Sequence, residues 1–187
     1  MVKESLKFKT AFKYPFNRAK GMLNILWMFL PIFGWLALGG YSVRIVQEFI
    51  KGKFKELPKM SFESDMELGF FMLLKSLPII IVYSLVISVF GGIVGEGLQV
   101  FVEILFNLFM IPILGINFFK KMTIESWFEF NLIKVVFNNI GDYLIAILKS
   151  IGLFLVYLPM YLILIGIPAT GFTQNIFLAD FYRRQVK

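Results

Sequence analysis

Apolar residues gather into four long blocks, separated by polar connectors that are mostly basic. The blocks cover residues 21–43, 77–94, 98–119 and 143–178. A helix that crosses a bilayer needs about 20 apolar residues, so the last block is too long for one crossing. Pro159 lies near its middle and removes a backbone donor. The pattern therefore predicts two helices in this block, near residues 143–158 and 160–178.

The first block carries an interruption of its own. Pro31 and Gly34 break it, and an amphipathic stretch follows. This predicts one helix to about Leu30 and a second from about Ile32 to Ile50. If the first and last blocks are both hairpins, the basic connectors and both termini lie on the cytoplasmic side, as the positive-inside rule requires. We predict three hairpins with six membrane segments, four or five segments being the alternatives, and some of them re-entrant.

The connectors are predicted to be ordered. Residues 64–67, Ser-Asp-Met-Glu, have capping-box spacing, which predicts a helix from about Asp65 toward the second block. Thr123 is a candidate cap for another interfacial helix, through about Asn138. Amphipathic helices on the membrane surface are therefore part of the expected architecture.

The N-terminal arm, residues 1–20, contains six basic groups and one acid. Such a segment is expected to bind anionic lipid headgroups. No recognition motif accompanies the charge, so nucleic acid is not an expected partner. Within the arm, residues 6–14 alternate apolar and basic side chains. This period favours a solvated arm with lysines lying along lipid, the alternative being an ordered strand or a partner-binding segment.

The composition, together with these patterns, indicates the fold class. The chain has 187 residues, of which 58% are hydrophobic, including 23 Phe. An ordinary soluble domain is about 45–50% apolar. We therefore predict an all-α integral membrane protein with one polytopic domain over residues 1–187, multi-pass in the cell membrane. The chain has no Cys, which removes a Cys nucleophile and a thiolate metal site. It has no His, which removes the commonest general base and the commonest metal ligand. We expect no catalytic residues, no metal site and no cofactor.

One row of polar side chains runs through the third block. Its members are spaced 3, 4 and 4 residues apart and share one helix face: Glu96, Gln99, Glu103 and Asn107. Glu103 is the acid expected inside the membrane, where a charge costs about 2.5–3.5 kcal/mol at the centre. It is either a proton- or cation-binding site along a wet groove, or it bonds neighbouring helices through Ser84, Ser88 or Asn24.

A second polar group lies in the last block. Thr170 and Gln174 follow Pro168 at helical spacing and are candidates to complete the same groove. Hydrogen bonding between helices is the alternative interpretation of this pair.

Residues 39–70 read GGYSVRIVQEFIKGKFKELPKMSFESDMELGF. The pattern consists of Gly40, Tyr41, Arg44, Gly52, Leu57 and Pro58. It resembles the prokaryotic, archaeal or bacterial membrane-protein family catalogued as Domain of Unknown Function 4013, and the likeness covers nearly the whole chain. The family pattern has a Trp soon after the Pro, whereas Lys59 to Phe62 stand here. The family brings no established activity. It is distantly similar to multi-helix membrane domains of the Yip1 kind, which implies membrane organisation rather than catalysis.

The motif residues also have a direct physical interpretation. Gly39 and Gly40 would let another helix approach closely. Tyr41 and Arg44 would mark the interface and the headgroup plane. Gly52 would end the helix, and Pro58 would fix a turn.

The sequence favours a non-enzymatic membrane protein that organises lipid or serves as an accessory or scaffold subunit. The alternative is a small ion or solute transporter or channel that uses the polar row around Glu103. An enzyme acting on lipid is the weakest hypothesis. A homo-oligomer or another membrane protein is the expected protein partner, and the sequence identifies no substrate.

Overall fold

The computed structural model describes residues 4–186, which contain helices and turns and no strand. Ten α-helices follow in chain order: α1 Phe8–Lys13, α2 Ala19–Met22, α3 Phe33–Ile50, α4 Phe62–Val94, α5 Glu96–Leu105, α6 Ile111–Lys121, α7 Asn131–Asn138, α8 Ile140–Tyr157, α9 Gly166–Gly171 and α10 Ile176–Gln185. Short 3-10 helices cover Phe16–Arg18, Leu23–Phe29, Ile124–Phe128 and Leu158–Ile163, and the π-helix Phe106–Met110 joins α5 to α6. The all-α prediction is confirmed.

Within residues 4–186, three helical stretches are long and apolar enough to cross a membrane. They are Phe62–Val94, Glu96–Lys121 and Ile140–Ile163. The first two form a hairpin that reverses at Gly95, whose φ of 85° suits a residue without a side chain. Membrane-spanning length is therefore established for these three stretches, and the larger number of six segments stays a prediction.

The helix α4 begins earlier than expected and runs without interruption past Pro78. The predicted start near Asp65 is wrong, because Ser61 is the N-cap and the Asp65 carboxylate reaches back to it. The Ser61 N–H donates to Asp65 Oδ2 at 2.9 Å, which satisfies one of the free donors at the helix start. The expected surface helix and the second apolar block are thus one continuous helix.

The first apolar block is broken where Pro31 predicted. Leu23–Phe29 is a 3-10 helix, and Ile32 then adopts a φ of 65° before α3 begins. Gly34 lies directly against the carbonyl oxygen of Trp27, where a Cβ would collide. The break is therefore confirmed, although the segment before it is a tighter helix than the expected α-helix.

The last block is broken twice. The 3-10 helix Leu158–Ile163 extends α8, and Leu164 then reverses the chain with a φ of 60°. The single helix expected over residues 160–178 is wrong, because α9 ends at Gly171 and turns lead into α10. At Pro159 the α-helix gives way to the 3-10 helix, but the chain reverses only at Leu164, five residues beyond the predicted break. The second break has no proline at the turn and was not predicted.

The core is built around α10, which packs against α3, α6 and α8. Phe181 meets Tyr143 edge-on, with ring centroids 5.2 Å apart. Tyr41 meets Phe172 in the same way at 5.1 Å. The C-terminal helix is thus a central element that organises the bundle.

The N-terminal arm is ordered, so the expectation of a solvated arm is wrong. Residues 8–13 form α1, and Leu6, Ala11 and Tyr14 are buried. The Leu6 N–H donates to the buried Asp180 carboxylate at 2.8 Å. The alternation of residue types remains visible, since Lys7, Lys9 and Lys13 stay exposed. Their contact with lipid headgroups stays a prediction, and Lys3 lies outside the described residues.

The connector after α6 holds two short elements instead of one helix. Ile124–Phe128 is a 3-10 helix and α7 follows it, with a turn around Phe130 between them. The exposed Phe130 and Phe137 side chains leave apolar groups on the surface of this connector.

Candidate functional site

The helices α3 and α4 cross in backbone contact at two glycines. A Cβ on Gly40 would collide with the carbonyl oxygen of Asp65, and a Cβ on Gly69 would collide with that of Leu36. Gly39, by contrast, faces open space. The expected close approach of a helix therefore occurs at Gly40, and its counterpart Gly69 was missed by sequence reasoning. Small residues permit such contacts between helices.

An ion pair joins the same two helices beside the crossing. Arg44 Nε lies 2.5 Å from Asp65 Oδ1, and Arg44 Nη2 donates to Asp65 Oδ2 at 2.6 Å. The Asp65 side chain is fully buried, whereas that of Arg44 is 29% exposed. A buried carboxylate requires such a partner. Arg44 therefore has a structural role inside the protein in addition to any contact with headgroups.

Gly52 ends α3 as predicted. Its φ is 82°, and its N–H donates to the Phe49 carbonyl at 2.9 Å. The Lys53 N–H donates to the Glu48 carbonyl, also at 2.9 Å. This pair of bonds is the Schellman motif, which satisfies carbonyls left over at a helix end.

The loop after Gly52 is held by side chains that donate to its backbone carbonyls. The Tyr41 hydroxyl donates to Pro58 O at 3.0 Å, and Arg44 Nη2 donates to Lys59 O at 2.7 Å. From the N-terminal arm, Arg18 donates to Leu57 O at 3.1 Å. The Leu57 side chain is fully buried. The structure therefore brings together the α3–α4 crossing, the loop and the arm at the six motif residues.

The polar row lies along α5 and the π-helix, partly facing α4. Gln99 Nε2 donates to Glu103 Oε1 at 2.8 Å. Asn107 Nδ2 donates to the Tyr83 hydroxyl at 3.2 Å and to the Glu103 carbonyl at 2.8 Å. Glu96 is exposed at the hairpin turn. The row is thus hydrogen-bonded to α4 through Tyr83, which was not among the partners expected from the sequence.

Glu103 borders a shallow hollow of about 370 Å³. The residues around it come from α5 and the π-helix alone: Val100, Glu103, Ile104, Asn107 and Leu108. Gln174 instead lines a separate small hollow beside α3, near Ser42. The Thr170 hydroxyl is buried without a hydrogen-bond partner. Glu103 and Gln174 therefore line different hollows, and the two polar groups do not form one groove.

A charged cluster that the sequence did not reveal ties the two ends of the chain together. Asp180 is buried, and Arg183 and Arg184 contact its carboxylate at 2.7 Å and 3.1 Å. Arg184 also pairs with Asp142 of α8 at 2.6 Å. The spacing of Asp180 to the two arginines, three and four residues along one helix, was the available signal.

Burial also affects Tyr182, next to this cluster. Its hydroxyl donates to Asn117 Oδ1 at 2.6 Å, and burial raises the pKa of the phenol to about 12. Asn117 Nδ2 in turn donates to the Ser126 carbonyl at 2.8 Å. This chain of bonds links α10, α6 and the connector, so the phenol acts as a neutral donor.

The polar groups of residues 4–186 chiefly fasten helices to one another. No group of three acidic side chains within this range could hold a metal ion. Comparison with known proteins adds no further assignment: no family model, no curated protein and no solved structure matches the chain. The resemblance of residues 39–70 to Domain of Unknown Function 4013 therefore stays a prediction.

Proposed function

We propose that the chain is a non-enzymatic, multi-pass protein of the cell membrane that organises the lipid around it, alone or as a scaffold subunit. Both termini are cytoplasmic in this proposal, and the protein partner is a second copy or another membrane protein. Membership of the Domain of Unknown Function 4013 family is part of the same proposal.

The observation that carries the proposal is the pair of broken apolar segments. Each turns large side chains outward at its break. Phe29 is 77% exposed and Leu162 is 90% exposed. Large apolar residues that face outward at both chain reversals are typical of a surface that meets lipid or another protein.

The length of the first broken segment fits one leaflet. Leu23–Phe29 has 7 residues, and a 3-10 helix rises about 2.0 Å per residue, giving about 14 Å. The hydrocarbon core is about 30 Å thick, so this is about half of it. A segment that enters one leaflet and returns adds volume to that leaflet alone. Insertion on one side in this way makes binding sensitive to curvature, which supports a role in membrane organisation.

Purified protein in liposomes tests the proposal. We expect electron microscopy to show vesicles constricted or drawn into tubules, with proton and ion flux equal to that of protein-free vesicles. Glu103→Gln is expected to change neither result. Flux that Glu103→Gln abolishes would instead establish the transporter alternative, and vesicles of unchanged shape would refute the proposed function.

A matched pair of variants assigns the effect to the breaks. Phe29→Glu with Leu162→Glu places charges in the apolar region, at about 2.5–3.5 kcal/mol each at the bilayer centre. We expect this double variant to lose vesicle deformation. The control, Phe29→Leu with Leu162→Met, keeps the apolar surface and should deform vesicles as the original chain does.

A further inference from the structure

An apolar groove of about 410 Å³ lies between the two broken segments. The 3-10 helix Leu23–Phe29 forms one wall and residues 163–168 form the other, while Phe16, Ala19 and Met22 close one end. All side chains around it are apolar. A Cβ on Gly171, the last residue of α9, would lie 3.8 Å from the groove residue Ile25, so α9 and the 3-10 helix Leu23–Phe29 pack against each other. The lining of the groove is apolar, as an acyl chain requires.

A basic hollow of about 710 Å³ lies beside the same N-terminal stretch. Four basic side chains around it outnumber two acidic ones: Arg18, Lys53, Lys55 and Lys59, against Glu48 and Glu56. Lys53 is paired with Glu48 at 3.1 Å. Lys55 and Lys59 are exposed. The hollow therefore presents an excess of positive charge to an anion.

Residues 16–22 contribute side chains to both the groove and the hollow. Phe16, Ala19 and Met22 line the groove, whereas Arg18 lines the basic hollow. A Cβ on Gly21 would lie 3.2 Å from Leu57, a residue of the hollow, so the stretch is packed tightly against the loop. Lys20 lines neither the groove nor the hollow, but it is exposed and follows the groove residue Ala19 in the chain. Arg18 and Lys20 thus carry positive charge in the short stretch that lines the groove.

We propose that this site binds one anionic phospholipid, with an acyl chain in the groove and the phosphate at Lys20 and the basic hollow. The apolar lining of the groove and the basic lining of the hollow together determine which ligand fits. A soluble anion would leave the groove without a ligand, and an uncharged lipid would leave the basic side chains without one. The inference rests on the proposed function and deepens it, because it names the lipid class and the residues that select it.

Native mass spectrometry of the full chain tests the site, with phosphatidylglycerol and phosphatidylcholine of identical acyl chains as probes. We expect one phosphatidylglycerol to be retained in preference to phosphatidylcholine. Lys20→Gln with Lys55→Gln should weaken retention about 25-fold, since about 1 kcal/mol per basic residue is a factor of about five for each charge. Lys134→Gln, an exposed lysine of α7, is the matched control and should leave retention unchanged.

Groove-filling variants test the acyl chain. Ala19→Trp and, separately, Ile167→Phe add bulk inside the groove and should each reduce retention of phosphatidylglycerol at least tenfold. Two variants are used so that one misfolded protein, recognised by its thermal unfolding, does not decide the result. Equal retention of the two lipids, or normal retention by both folded groove variants, would overturn the proposal.

The same preparations separate this inference from the proposed function. If the original chain deforms vesicles but shows no preference for phosphatidylglycerol, the lipid site is refuted and membrane organisation stands. If it retains phosphatidylglycerol but leaves vesicle shape unchanged, the site stands and the proposed function is refuted. Inorganic phosphate added as a competitor should displace no lipid, and displacement would show a simple anion site instead.

Discussion

Replacement of Gly40 by Ala tests the α3–α4 crossing with a control one residue away. At Gly40 the new methyl group would collide with the backbone carbonyl of Asp65, and backbone atoms cannot rotate aside. At Gly39 the same methyl group meets nothing within 4 Å. Both residues lie inside α3, so the change in helix propensity is the same at the two positions.

The two substitutions should therefore shift stability in opposite directions. Ala in place of Gly inside a helix stabilises by about 0.5–1 kcal/mol. Overpacking costs about 1–3 kcal/mol, and it applies to Gly40→Ala alone. The two variants should accordingly differ by about 1–3 kcal/mol. For a domain of this size, about 1 kcal/mol corresponds to a Tm change of about 2–4 °C.

Thermal unfolding of the purified protein in detergent measures this difference. We expect Gly39→Ala to unfold slightly above the original chain and Gly40→Ala to unfold below it. Gly69→Ala should resemble Gly40→Ala, because its methyl group would collide with the Leu36 carbonyl oxygen. Equal unfolding temperatures for Gly39→Ala and Gly40→Ala would refute the backbone contact between α3 and α4.

Three further predictions concern the ion pair, the buried phenol and the topology. Asp65→Ala leaves Arg44 without its carboxylate. The free energy of unfolding should fall by about 3 kcal/mol, the lower end of the range for breaking a buried ion pair, because Arg44 keeps some solvent contact. Thermal unfolding measures this loss, and full stability of the variant would contradict the pairing. Burial raises the pKa of Tyr182 to about 12, whereas the phenol of an unfolded chain has a pKa of about 10. The stabilisation of the fold by the protonated phenol is therefore complete below about pH 10 and is lost as the pH rises toward 12. Tyr182→Phe should thus show a shallower loss of Tm in this window, and identical profiles would exclude the effect. Cysteines placed singly at Lys53 and Glu96 should be labelled from opposite sides of the membrane, with position 53 cytoplasmic, and labelling from one side would rule out the three-hairpin topology.

Local features of the fold were predictable where one residue determines the backbone. Pro31 marked a break and Pro159 a change from α-helix to 3-10 helix because each removes a donor, and Gly52 marked a helix end because it accepts a positive φ. Contacts between distant parts of the chain were not predictable in this way. Gly69 sits in an ordinary apolar run, and its importance depends on which helix crosses it.

The N-terminal arm shows why alternation alone misleads. The alternating lysines predicted a solvated arm, yet the Leu6 side chain is buried in the core and its backbone N–H donates to the Asp180 carboxylate. That contact joins residues 174 positions apart, and no local pattern encodes it. The polar row was also only partly predictable. Its spacing predicted that the side chains share one helix face, whereas the hydrogen bond from Asn107 to Tyr83 depends on how α4 and α5 pack.

The most direct test of the account is the depth of its tryptophans in a bilayer. Trp27 and Trp35 flank the first break and are exposed, whereas Trp127 is half-buried against Phe118. Proteins that keep one Trp, the other two being changed to Phe, are placed in liposomes of lipids brominated in mid-chain. We predict strong quenching of Trp27 and Trp35 by the lipid bromines and weak quenching of Trp127. Quenching of Trp27 and Trp35 by aqueous iodide, with no response to the brominated lipid, would contradict insertion of the break.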